Sequence, residues 1–192
     1  MSIPSHSITN AASDFGPQAR ALRQRRNLTL DRVAELTGLT KGHLSRFERG
    51  EKALSVAALL RLAAVLNTSV SSLLGEQVDD DTFRLVRREE RKLHHTEVRD
   101  GGYGFVTLSR PTENSGLDAF ILEMTANAER INEAHHGGEE SFYVLDGEVE
   151  IRVADKVMIL AEGDYLQFPG RLKHVIRGRK DLNRVFIVIA GK

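Results

Sequence analysis

Apolar positions follow two different periods along the chain, and the change falls between residues 74 and 83. Up to Leu74 they recur three and four apart, the spacing of one helix face; from Phe83 onward short β-branched and aromatic runs alternate with Gly, Asn and Asp. Punctuation divides the first part into five helices. Pro17 suits a first helical position, and Ala19, Leu22 and Arg26 continue a helix that Asn27 ends. Thr29 caps the second, with Asp31 in its first turn, where a negative charge suits the helix dipole, and Val33, Ala34 and Leu36 inward. Gly38 supplies the positive φ that lets one helix stop and the next begin almost at once. Thr40 caps the third, with Leu44 and Phe47 on its buried face and Gly50 at its end. Ser55 caps the fourth, and Ser69 to Leu74 makes a short fifth.

The second part predicts strands at Phe83–Arg87, Phe105–Leu108, Ala119–Met124, Ser141–Leu145, Val149–Val153, Val157–Ile159, Tyr165–Phe168, His174–Ile176 and Val185–Ile189, with turns at Asp146-Gly147 and Glu162-Gly163-Asp164. Nine strands at nearly regular spacing predict a sandwich or barrel. Between the parts, Gly75-Glu-Gln-Val-Asp-Asp-Asp81 has no periodicity and three successive carboxylates, and reads as a linker. The expected organisation is a flexible N-terminus over 1–15, an all-α domain over 16–75, a linker over 76–82 and an all-β domain over 83–192.

Composition then narrows the chemistry. The 192 residues include no cysteine, which removes disulfides and thiolate metal sites and fits a reducing compartment. Neither the polar first 15 residues nor any later stretch resembles a signal peptide or a membrane span, so a cytoplasmic protein with no membrane partner is expected. The net charge of zero hides an asymmetry. Residues 1–75 hold 10 Lys and Arg against 5 Asp and Glu, and the remainder reverses that excess, giving the α-helical part the sign that suits a phosphate backbone.

Two short helices joined at a glycine, with a third in front, predict a helix-turn-helix. The run Leu28 to Gly50, above all Gly38-Leu-Thr and Leu44-Ser-Arg-Phe-Glu-Arg-Gly50, resembles the phage-repressor-like (XRE) family of DNA-binding domains over about residues 16–74. That resemblance implies a double-stranded DNA operator as partner. It makes Lys41, His43, Ser45 and Arg46 candidate contacts near the start of the recognition helix, with Arg46 on a guanine or a phosphate. Many family members carry Gln at the start of the second helix, where this chain has Leu30. A homodimer is expected, because one such helix reads only a few base pairs.

Ala134 to Gly147 and Gly163 to His174 resemble the two motifs of the cupin superfamily: Glu140 and Gly147 match the first, and Gly163, Pro169 and His174 the second. The implied fold is a jelly-roll barrel. The implied ligand set is incomplete, since the second histidine of the first motif falls on either His136 or His135, the first then falls on Ala134 or Glu133, and Gly178 stands where asparagine is expected. His135, His136, Glu140 and His174 are the candidate metal ligands for one divalent ion, zinc first and otherwise iron, manganese or nickel, against the alternative of a metal-free polar pocket. His94-His95 is expected at the surface. Tyr143, Tyr165 and Gln167 lie near the motifs as candidate contacts for a small-molecule effector; Phe120 and Phe142 read as core. The domain order resembles bacterial regulators whose cupin senses a metabolite, often an amino acid or a related compound, with the coupling expected through the linker at Glu76–Asp81. A metal-dependent cupin enzyme fused to a DNA-binding domain is the alternative.

Overall fold

The computed structural model describes residues 15–76, 83–96, 103–112, 116–126 and 133–191. The expected flexible segment before residue 15 and most of the expected linker, residues 77–82, lie outside them.

Five helices form the first domain: α1 (Phe15–Arg25), α2 (Leu30–Thr37), α3 (Lys41–Glu48), α4 (Val56–Val65) and α5 (Val70–Leu73). Their boundaries are set by local chemistry. The hydroxyls of Thr29, Thr40 and Ser55 each accept from a free first-turn amide, those of Arg32, His43 and Ala58. Gly38, at φ 69°, closes α2 in the left-handed region and turns the chain into α3. Helix α1 begins at Phe15, placing Pro17 at its third residue rather than its first. Val33, Leu44, Leu62, Ala63, Leu66, Val70 and Leu73 make the sealed centre of the domain.

Among the described residues the second domain has nine strands: β1 (His94–His95), β2 (Gly104–Thr107), β3 (Leu117–Met124), β4 (Glu139–Asp146), β5 (Glu148–Val153), β6 (Lys156–Ala161), β7 (Tyr165–Pro169), β8 (His174–Gly178) and β9 (Asn183–Ala190). They form a six-stranded sheet in the order β1-β2-β3-β9-β4-β7 and a three-stranded sheet in the order β6-β5-β8, all neighbours antiparallel. Alternation fills the space between them. In β4, Glu140, Phe142 and Val144 point inward and Glu139, Tyr143 and Leu145 outward. Gly178 and Asn183 fit as a pair: a Cβ on residue 178 would come within 2.3 Å of the Asn183 amide nitrogen, which donates to the carbonyls of Met124 (3.0 Å) and Lys180 (2.8 Å). The glycine that replaces the expected asparagine thus makes room for a buried amide from the next strand.

Leu36, expected inward on α2, is instead 47% exposed, and two further expectations are corrected. Phe83–Arg87 is not a strand but extended chain running into a single 3-10 turn at Arg88–Glu90; Phe83 and Leu85 are exposed, and no strand among the described residues pairs with it. His94 is not at the surface. It is 3% exposed, with ring centroids 5.0 Å from Phe15 and 5.4 Å from Phe105, and only His95 faces solvent.

The domains are fastened together at several points. The Ser69 amide donates to the Thr112 carbonyl (2.9 Å) and the Ser71 hydroxyl to the Ser109 carbonyl (3.2 Å). Glu76, expected in a solvated linker, has its carboxylate largely buried in an ion pair with Arg84, accepts from the Thr107 hydroxyl, and lies 3.5 Å from His94.

Candidate DNA-reading helix and metal centre

Helix α3 presents the predicted DNA-reading residues on a rigid base. Leu44, Phe47 and Glu48 face inward, which turns Lys41, Ser45 and Arg46 outward. Glu48 is 6% exposed and holds Arg23 of α1 by two bonds, Nε to Oε1 at 2.6 Å and Nη2 to Oε2 at 2.8 Å, while Arg23 Nη1 donates to the Leu28 carbonyl at 2.9 Å. This fork fixes α3 against α1. Lys41 pairs with Asp31 of α2 at 2.9 Å, and the Ser45 hydroxyl accepts from Arg49, which also pairs with Glu51 at 2.6 Å. Arg46 is exposed. His43 is half-buried; burial first, then the charges of Lys52 and Arg46, lower its pKa against an opposing backbone hydrogen bond at Ala53, so the ring is neutral at neutral pH.

In the second domain, His136, Glu140 and His174 converge. One ligand atom from each lies within 4.8 Å of the others, and all three residues are buried. Strand β4 aims Glu140 inward and β8 begins with His174. The segment bearing His136 is tied to β8 by a bridge in which Ala134 and His174 exchange amide bonds of 2.8 and 3.0 Å. Gly170 provides space for the His136 ring, since a Cβ there would come within 2.4 Å of Cε1.

The tautomers of the two rings follow from their backbone partners. His136 Nδ1 lies 2.8 Å from the Gly137 carbonyl and His174 Nδ1 2.7 Å from the Leu172 carbonyl, and because a carbonyl only accepts, each Nδ1 carries hydrogen. Both Nε2 atoms then face the same Glu140 oxygen, at 2.9 and 3.0 Å. Neutral rings would turn lone pairs toward a carboxylate, so the centre needs protons or a cation between its acceptors. Burial opposes charge on His136, yet the Glu140 hydrogen bond and charge outweigh it and raise the pKa; burial likewise pushes Glu140 up, and the two histidine hydrogen bonds reverse this and bring it down. Two imidazoles with backbone-held Nδ1–H groups and one carboxylate fit a divalent metal.

Sequence spacing left His135 and His136 open, and the structure separates them. His135 is exposed, because neighbours in extended chain point to opposite sides, and only His136 reaches the centre. The expected ligand contacts Tyr143, Tyr165 and Gln167 are not brought to it either. All three are exposed on the outer face of the six-stranded sheet, where the Tyr165 hydroxyl lies 3.0 Å from the Ser141 hydroxyl and donates to Gln167 at 2.9 Å. Glu140 points inward, so odd-numbered residues of β4 must point out.

Beside the centre lies a cavity with about 70 Å³ of room for the centres of water-sized molecules. Its polar lining is His136, Glu140, His174 and Tyr103, and its walls include Phe142, Leu122 and Ile187. Spacing gave no signal for Tyr103, which follows a Gly-Gly pair. Its hydroxyl accepts from the Val56 amide (3.1 Å), and its pKa is pushed up to about 12 by burial, against the Val56 hydrogen bond and with help from the Glu140 charge.

Comparison with known proteins agrees with both halves. A helix-turn-helix family model matches residues 20–73 and a cupin-domain model residues 120–190. The chain thus carries a helix-turn-helix domain followed by a cupin domain, the order found in relatives named HTH-type transcriptional regulators. It is 25% identical over 171 residues to the HTH-type transcriptional regulator SutR of Escherichia coli K12, spanning 88% of this chain and 90% of that one. An HTH_3 family transcriptional regulator from Vibrio cholerae has the same fold (TM-score 0.71, 24% identity, 95% and 98% coverage). A structure of FeII HppE shares the fold more distantly (TM-score 0.51, 23% identity, 93% and 99% coverage). No helix among the described residues is long and apolar enough to cross a membrane.

Proposed function

We propose that this DNA-binding regulator reads a specific operator with α3 as a homodimer in the cytoplasm, and that a small molecule bound in the cupin cavity sets its operator affinity. Lys41, Ser45 and Arg46 are the reading edge, with His43 behind them. His136, Glu140 and His174 hold a divalent metal, zinc first and otherwise iron, manganese or nickel. Bound there, the metal would supply a Lewis-acidic centre for a donor atom of the effector. The observation that carries the sensing role is the convergence of three acceptors on one point beside a cavity inside a DNA-binding protein.

The test uses an operator obtained by in vitro selection. Fluorescence anisotropy is run across a panel of amino acids, amines and organic acids, with and without added metal. At least one compound is expected to shift operator affinity fivefold or more, about the lower end of ordinary allosteric coupling, and to lose that effect in Glu140→Gln. A panel with no effect on DNA binding, but with metal-dependent turnover of one member, would instead support an enzyme.

A further inference from the structure

The cavity beside the metal centre is not made by the cupin domain alone. Val56, Ala57 and Leu60, on the first two turns of α4, form one wall of it. The same helix turns Leu59, Leu62 and Ala63 into the sealed interior of the first domain. It therefore has one face in each domain, and a molecule filling the cavity lies against it.

Two polar ties run along the same path. The Tyr103 hydroxyl, in the cavity lining, accepts from the Val56 amide, which has no partner within α4 because it lies in the first turn. Arg61, on α4, spans both domains with one guanidinium: Nε donates to the Thr37 carbonyl at 2.8 Å, and Nη1 donates to the His135 carbonyl at 3.1 Å. Thr37 is the last residue of α2, immediately before the turn into α3, and His135 precedes the metal-centre residue His136.

We propose that the cavity is a binding site built jointly by both domains, taking a compact molecule with an apolar body against α4 and one polar head at His136, Glu140 and His174. The occupant then touches the DNA-binding domain directly, and α4 with Arg61 carries its presence to the α2–α3 turn. This rests on the cavity being the effector site; it adds the class of effector and the route of its action. Size and lining define the class. The room of about 70 Å³ suits a small molecule, and among the described residues no lysine or arginine lines the cavity, so the body of the molecule carries no anionic group. The coupling does not need the segment around residues 77–82.

The probes are primary alcohols of two to six carbons, which are neutral and need no metal. They are titrated into the full-length chain, metal-free and zinc-loaded, and followed by methyl and amide NMR. Affinity is expected to rise about fourfold per added CH2 until the cavity is filled. The Ala57 and Leu60 methyl signals should move with the barrel signals, and the amides of Lys41–Glu48 should move too. In Ala57→Leu the rise should stop at a shorter chain; in Arg61→Met the α4 methyl shifts should remain while those of α3 are lost. Affinity independent of chain length, or α4 methyls that stay still in the wild-type chain, would overturn the proposal without any variant having to fold. An alcohol series unchanged by zinc would support the shared wall, since these probes need no metal.

Discussion

Gly170→Ala places the smallest side chain against His136, the ring on which the proposed metal centre turns. The new Cβ would lie 2.4 Å from His136 Cε1 and 2.5 Å from its Nδ1. Carbon atoms rest comfortably at about 3.5–4.0 Å, so the ring or the strand end must give way by roughly 1 Å. The ring has little freedom to do so, because Nδ1 is bonded to the Gly137 carbonyl at 2.8 Å and Nε2 faces Glu140 at 2.9 Å. Metal–nitrogen distances tolerate about 0.2 Å. A displacement several times larger should cost at least the 10–100-fold typical of disturbing a ligand's support, about 1.4–2.8 kcal/mol. Zinc affinity is read by competition with a chromophoric chelator at fixed pH. Circular-dichroism melting in EDTA separates loss of the site from loss of the fold, since overpacking itself costs about 1–3 kcal/mol. A Gly170→Ala chain that binds zinc within twofold of wild type, while Glu140→Gln does not bind it, would show that His136 is not a ligand and refute the geometry.

Glu48→Met should destabilise the chain by about 1–3 kcal/mol in urea unfolding, because it leaves the partly buried Arg23 without its carboxylate; the double variant with Arg23→Met should recover most of this, and additive losses would mean that the fork does not brace α3. Ultraviolet titration should show a phenol ionising at about 12 that Tyr103→Phe removes. The folded-state value is raised, so this group's stabilisation is complete below its unfolded value near 10 and is lost as pH climbs through about 12. Arg46→Ala should weaken operator binding at least about fivefold at fixed salt, whereas Arg49→Ala, whose guanidinium is engaged with Ser45 and Glu51, should weaken it less.

The helical domain was legible because its signals are local. Thr29, Thr40 and Ser55 cap within three residues of themselves, and Gly38 acts at its own φ, so order along the chain was enough. The barrel strands came from alternation, which also explains the failures. Phe83–Arg87 alternates without a partner strand among the described residues, and the ambiguity between His135 and His136 is a question of which side of the chain each faces, which the Ala134–His174 bridge decides. Tyr143 could have been placed correctly, since an inward Glu140 forces it outward three residues later. What no spacing could give is contact between domains: His94 between Phe15 and Phe105, Glu76 with Arg84, and α4 against the cavity all join segments distant in sequence.

The proposed regulator depends above all on sequence-specific binding through α3. The measurement is a competition, by anisotropy at one stated salt concentration, between the selected operator and a scrambled duplex of the same length and composition. The full-length chain should prefer the operator by about 10³-fold or more, and Arg46→Ala should reduce that preference. Equal affinity for the two duplexes, or a preference untouched by changes at Lys41, Ser45 and Arg46, would contradict it.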